Sequence, residues 1–92
     1  MKKSIYDKPW VVYIAQCSDT TFYTGVAKDV AKRIRAHNTT SQCRYTRARK
    51  PVTLIYQEMC SDHAAARKRE AAIKRLDREE KLAVIGGKNR TR

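Results

Sequence analysis

From Trp10 to Cys17 the chain reads W-V-V-Y-I-A-Q-C, an apolar run rich in aromatic and β-branched residues. Such a run suits a strand buried on both faces, hence a central one. Ser18-Asp19-Thr20 supplies turn chemistry, and Thr21 to Val26 resumes the β-type composition, so the two runs read as a hairpin. Strand side chains alternate between faces. Tyr13 and Tyr23 therefore share a face if the loop is odd in length or a bulge intervenes, and that register is the one expected.

After Gly25, where strand is expected to give way to helix, Asp29 can cap a helix over residues 29–38 in which Val30 and Ile34 repeat at i, i+4 and face the core. Residues 39–50 (T-T-S-Q-C-R-Y-T-R-A-R-K) have no apolar period and stop before Pro51, which predicts a surface loop exposing Arg44, Tyr45, Arg47 and Arg49. Val52, Leu54 and Tyr56 alternate with Thr53, Ile55 and Gln57, predicting a third strand up to about Met59. Ser61 or Asp62 caps a second helix with Ala65, Ala72 and Leu76 on its apolar stripe and Ala66 and Ile73 beside it. Asp77-Arg78-Glu79-Glu80 has the form of a capping box. It opens a third short helix that includes Leu82 and Ile85 and stops at Gly86-Gly87.

Ninety-two residues make one small domain, read here as residues 1–87 with a basic tail from Lys88 to Arg92. A chain this short buries roughly 60% of its unfolded surface around one core. The formal net charge of +12 changes the picture, because it calls for a polyanionic partner, most simply nucleic acid. Residues 28–50 hold eight Lys or Arg against the single Asp29, a net of +7, and are the expected phosphate-facing surface. Cys17, Cys43 and Cys60 are odd in number and contain no C-x-x-C, which argues against a disulfide framework and a tetrahedral zinc site. Asp7, Lys8 and Pro9 interrupt the N-terminus before any long apolar run, so neither a signal peptide nor a membrane span is expected. The reading is a cytoplasmic protein with reduced thiols.

The residues that could carry chemistry come from separate segments. Arg33 and His37 lie four apart and project from one helical face, where a guanidinium and an imidazole can reach one phosphate or simply form a solvated basic face. Glu70, with Ala66 at i−4 and Ile73 at i+3, borders the apolar stripe, so a cation should sit near it. That cation is either Arg67 or Lys74, or a divalent metal bound by one carboxylate with waters and phosphate oxygens. Tyr13 and Tyr23 can be ordinary strand tyrosines. Together with Arg33, His37 and Glu70 they supply a proton acceptor, a positive clamp and a metal ligand.

Y-I at 13–14, Y-T-G at 23–25, R-I-x-x-H at 33–37 and E-x-x-I-K at 70–74 resemble the GIY-YIG nuclease superfamily, in particular its small single-domain bacterial members. The resemblance covers about residues 9 to 85. It implies an α/β (α+β) sandwich with a central three-stranded antiparallel sheet flanked by about three helices in the order ββαβαα. It also implies phosphodiester hydrolysis with one divalent ion, Mg²⁺ or Mn²⁺. By resemblance Tyr23 matches the tyrosine that activates water, Tyr13 the one that orients the site, and Arg33 the transition-state arginine. His37 matches a residue that helps proton movement or phosphate contact, Glu70 the metal-binding carboxylate, and Gly25 the structural glycine. The chain departs from the family pattern with V-V-Y for G-I-Y, Y-T-G for Y-I-G, and Val26 where some repair members carry lysine, Lys28 lying only nearby.

With no attached recognition domain expected, target choice should rest on nucleic-acid structure and backbone, DNA favoured, through Lys28, Lys32, Arg35, Arg44 and Arg47, with Tyr45 stacking on an unpaired base. The competing classes are a noncatalytic nucleic-acid-binding protein that keeps the fold, and a transferase forming a covalent tyrosine adduct. Oligomeric state is not legible in the sequence.

Overall fold

The computed structural model describes residues 9–87. The elements run β1 (Trp10–Gln16), β2 (Phe22–Ala27), α1 (Val30–Thr39), β3 (Thr53–Cys60), α2 (His63–Lys74) and α3 (Arg78–Gly87), the expected ββαβαα order. The basic tail read at Lys88 to Arg92 lies outside the described residues. Both strand pairings are antiparallel and the sheet order is β2-β1-β3, so the apolar run of β1 forms the centre. Val11 to Ala15 are buried without interruption, as a strand covered on both faces requires.

Five residues separate β1 from β2, and the register pairs Tyr13 with Gly25 and Ala15 with Tyr23. The odd-length loop thus puts both tyrosines on one face. Asp19 organises this turn by accepting the Thr21 backbone N–H at 3.1 Å and the Thr21 hydroxyl at 2.6 Å.

On one face of the sheet Val11, Tyr13, Ala15, Cys17, Ala27 and Val52 pack with Val30 and Ile34 of α1. On the other, Val12, Ile14 and Tyr56 pack with Ala66 and Ile73 of α2 and Val84 and Ile85 of α3. Asp29 caps α1 through the Lys32 N–H at 3.1 Å, and Asp62, not Ser61, caps α2 through the Ala65 N–H at 2.8 Å. At the start of α3 the capping box closes in both directions: Glu80 N–H donates to Asp77 at 2.8 Å, and Asp77 N–H donates to Glu80 at 2.9 Å.

Two expectations are corrected. The β1–β3 register shifts between Ile14 and Ala15, where Ile14 pairs with Tyr56 but Ala15 with Leu54, so Ile55 is an extra residue. That bulge reverses parity: Val52 and Leu54 face α1 while Tyr56 joins the α2 side. The α2 stripe is centred on Ala66 and Ile73, both fully buried, with Ala65, Ala72 and Leu76 at its margins. In α3, Val84 and Ile85 reach the core and Leu82 is exposed.

Candidate active site

Tyr13 sits mid-strand and fully buried, with its ring laid across the backbone of its register partner Gly25. A Cβ at Gly25 would lie 2.6 Å from the Tyr13 hydroxyl oxygen and 2.7 Å from Cζ. This close approach is why glycine stands there. Gly25 does not mark the strand-to-helix boundary, since β2 continues to Ala27.

Helix α1 brings His37 under the sheet, because Val30, Ile34 and His37 follow one i, i+4, i+7 stripe. The imidazole is only 3% exposed and both nitrogens are engaged: Nε2 lies 2.9 Å from the Tyr13 hydroxyl and Nδ1 lies 2.9 Å from Thr46 Oγ1. Of the two alternatives for the Arg33–His37 pair, a shared solvated face does not hold. Arg33 is exposed, with its guanidinium beside the Tyr13 hydroxyl, whereas His37 is a core residue. Tyr23 completes the group, its ring centroid 5.0 Å from His37 in an edge contact and 6.3 Å from Tyr13.

Burial drives the electrostatics here. It raises the Tyr13 phenol above the ordinary tyrosine range, Glu70 adds to that, and Arg33 opposes it. The Tyr23 phenol is pushed up strongly, first by burial, then by its hydrogen bond to Cys43 and the neighbouring Tyr13. His37 is pushed down by burial and by repulsion from Arg33, so the imidazole is neutral near pH 7. Burial opposes ionisation of Cys43, but hydrogen bonds from the Thr46 side chain and N–H, the Tyr23 hydroxyl and the Tyr45 N–H outweigh it and lower the thiol below its usual value.

Arg33, Ala36, His37, Thr40, Gln42 and Cys43 line a cavity of about 300 Å³. Around the edge of β2 a second cavity of about 430 Å³ is lined by Phe22, Tyr23, Thr24, Tyr45, Lys74 and Lys81. Arg33 and His37 border the first and Tyr23 the second, while Tyr13 lines neither.

Lys28, Lys32, Arg35, Arg44 and Arg47 are all exposed. They are not equivalent. Lys28 Nζ lies 5.4 Å over the Trp10 ring, and Lys32 and Arg33 border a third cavity of about 260 Å³ with Ala27, Asp29 and Ala36. Arg35, two residues from Arg33, points about 160° away around the helix. Tyr45 is 37% exposed, with Tyr23 5.7 Å away and the Arg49 guanidinium 4.2 Å over its ring. Arg49, expected to be exposed, instead ties the loop down through Asp19 at 3.0 Å and the Tyr45 carbonyl at 2.7 Å.

Glu70 is half-buried on α2, its side chain 18% exposed, and both alternatives for a protein cation are realised: Lys74 Nζ lies at 3.2 Å and Arg67 Nε at 3.9 Å. Its charge is felt at the Tyr13 phenol, which brings it into the same electrostatic neighbourhood. Among the described residues no group of three or more His, Cys, Asp and Glu converges. A single carboxylate fits a hard ion completed by waters and phosphate oxygens and does not fit zinc, which takes three or four protein ligands.

Thr46 and Cys43 escaped the sequence reading. Thr46 is fully buried in a stretch of otherwise exposed charged residues, and a single buried threonine leaves no periodicity to detect. The burial of His37 did leave a signal, its place on the Val30–Ile34 stripe.

A tyrosine pair on one face of a three-stranded sheet, served by an arginine and a histidine from the following helix, belongs to a recognisable class. The chain is a member of the GIY-YIG family, a family of nucleases: the GIY-YIG catalytic domain matches residues 9–83. Within that class it is similar to the UPF0213 proteins. It is 48% identical over 81 residues to one from Desulfotalea psychrophila, covering 86% of this chain and 74% of that protein. A Staphylococcus saprophyticus UPF0213 protein is 47% identical over 74 residues, covering 80% and 90%. Two solution NMR structures share the fold. The protein EF2693 from E. faecalis is 30% identical with a TM-score of 0.66, over 100% of this chain and 95% of that one. The UPF0213 protein BH0048 from Bacillus halodurans is 32% identical with a TM-score of 0.55, over 84% and 82%.

Proposed function

We propose that this chain is a divalent-metal-dependent endonuclease that hydrolyses phosphodiester bonds in DNA and selects its target by nucleic-acid structure rather than base sequence. The observation that carries the reading is the Tyr13 hydroxyl held 2.9 Å from a buried His37, with the Arg33 guanidinium alongside at the cavity mouth. Phenol and neutral imidazole form a proton-accepting couple, and an exposed guanidinium can hold a phosphate and offset the charge that develops on it.

This division of labour differs from the one the resemblance implies. Burial and the Cys43 contact push the Tyr23 phenol up, so it resists losing its proton. Tyr13 has an acceptor already in contact. In this reading Arg33 moves from the Tyr13 hydroxyl onto the phosphate, the uncovered phenol takes the proton of the attacking water while passing its own to His37 Nε2, and Tyr23 orients the phosphate through its hydroxyl. Glu70 would hold the metal, with Lys74 and Arg67 displaced from its oxygens. The ion would supply Lewis-acid activation of the phosphate and lower nearby phenols.

The basic surface from Lys28 to Lys50 supports backbone recognition. The cytoplasm is the proposed compartment, in keeping with Cys17, Cys43 and Cys60 as free thiols. Among the described residues no helix is long and apolar enough to cross a membrane.

The test is cleavage of labelled duplex, flap, branched and single-stranded DNA with and without Mg²⁺ or Mn²⁺, with Glu70→Gln and Arg33→Ala purified in parallel. The expected result is metal-dependent cleavage that falls by about 10²-fold or more in each variant while both stay folded. Cleavage at the wild-type level by both variants rejects the assignment. Salt-sensitive binding indifferent to chelator, with no cleavage, establishes the noncatalytic alternative.

A further inference from the structure

We infer that Thr46 is a positioning residue of the site: its buried hydroxyl fixes the His37 tautomer in which Nδ1 carries the proton and Nε2 accepts from Tyr13. The catalytic purpose of this device rests on the nuclease reading above, whereas the tautomer itself does not.

A neutral imidazole has one donor and one acceptor nitrogen, and the partner on each side decides which is which. Here both partners are hydroxyls at the same distance, 2.9 Å, so distance alone does not choose. The acidity of the two hydroxyls does. A phenol is more acidic than an aliphatic hydroxyl and is the stronger donor, so Tyr13 donates to Nε2. Nδ1 then carries the proton, and Thr46 Oγ1, 2.9 Å away and fully buried, is the acceptor that lets it stay there. Without that acceptor the Nδ1–H form would bury an unpaired donor, which favours the other tautomer.

The hydrogen bonds therefore run in one direction, from Tyr13 to His37 to Thr46. Nothing in the cluster is left over, since no buried side-chain nitrogen or oxygen among the described residues lacks a partner. Reversing the chain would turn Nε2 into a donor and leave Tyr13 with no base. Thr46 is fully buried, so water cannot substitute for its hydroxyl without the loop moving. The loop is tethered on both sides: Asn38 exchanges two hydrogen bonds with the Val52 backbone, at 3.0 and 2.6 Å, and Arg49 is bonded to Asp19.

Long-range proton–nitrogen NMR of the uniformly ¹⁵N-labelled full chain reads imidazole tautomers directly. The chain has two histidines, and the exposed His63 serves as the internal reference. In wild type, His37 is expected in the Nδ1–H form. Thr46→Val should switch it to the Nε2–H form, and Thr46→Ser should keep it. In the cleavage assay Thr46→Val should lower kcat on the order of tenfold with KM little changed, and Thr46→Ser should restore it.

Persistence of the Nδ1–H form in a folded Thr46→Val protein overturns the inference. If that variant does not fold, wild type or Thr46→Ser in the Nε2–H form overturns it equally. Absence of cleavage by wild type rejects the nuclease reading and with it the catalytic purpose, while the spectra still decide whether Thr46 sets the tautomer.

Discussion

The two faces of the sheet are built from the same central strand and solve burial differently. Val12 and Ile14 point to the α2 and α3 side, where they meet Ala66, Ile73, Val84 and Ile85. Val11, Tyr13, Ala15 and Cys17 point to the α1 side, where His37 and Thr46 are buried beside them at 3% and 0% exposure. The first face is mostly held by aliphatic packing, with Tyr56 bonded to Glu58 at its rim. The second buries a phenol, an imidazole and a hydroxyl, which is tolerable only because each is hydrogen-bonded. One face supplies stability that does not depend on protons, and the other holds groups that exchange them.

If that division is right, damage to the faces should have different readouts. The largest expected effect is on the aliphatic side. Ile73 is fully buried against β1, so Ile73→Ala should lower stability by about 2–5 kcal/mol, read from urea unfolding, through lost burial and a cavity. Cleavage per folded molecule should be unchanged. A matching loss of specific activity would show that the faces are coupled and break the comparison.

Gly25→Ala attacks the other face with one methyl. The glycine has no positive φ, so the backbone accepts alanine and the cost is steric. The new Cβ would sit 2.6 Å from the Tyr13 hydroxyl oxygen, and that ring cannot swing away without leaving His37. Displacing a reacting group by about an ångström costs on the order of 10²-fold in rate, and that is the expected loss of cleavage, with stability falling less than in Ile73→Ala. Cleavage within a few-fold of wild type would mean that the position of the Tyr13 phenol does not limit the reaction.

The element order, the caps at Asp29 and Asp77 and the shared face of the tyrosines were legible because each rests on local pattern: an apolar run, a side-chain acceptor before a helix, an odd loop. The bulge at Ile55 was not, because a single extra residue leaves the alternation of Val52, Leu54 and Tyr56 intact on paper while reversing their faces in space. Thr46 and Cys43 were hidden for another reason. They belong to a loop of otherwise polar composition, and what buries Thr46 is the approach of His37 from a helix nine residues earlier. The candidate tyrosines, arginine, histidine and glutamate were named from residue type and resemblance. The network that joins four of them is a property of the packed structure.

The smallest expected effect is also the one that separates the faces most directly. In the unfolded chain His37 titrates near its ordinary value of about 6.5. In the fold its pKa lies lower, because burial disfavours the imidazolium and Arg33 repels it. Between the two values the unfolded chain binds more protons than the folded one, so acidification favours unfolding. The contribution is fully present above about pH 6.5 and is lost as the pH falls below it toward the folded value. Urea midpoints at pH 7.5 and 5.5 should therefore drop further on acidification for wild type than for His37→Gln, since His63 and the carboxylates are common to both. Ile73→Ala should lower the midpoint at both pH values and keep the wild-type difference between them. An identical acid-induced drop in wild type and His37→Gln would mean that the α1 face does not hold the imidazole neutral, and the proton-handling role assigned to it would have no physical basis.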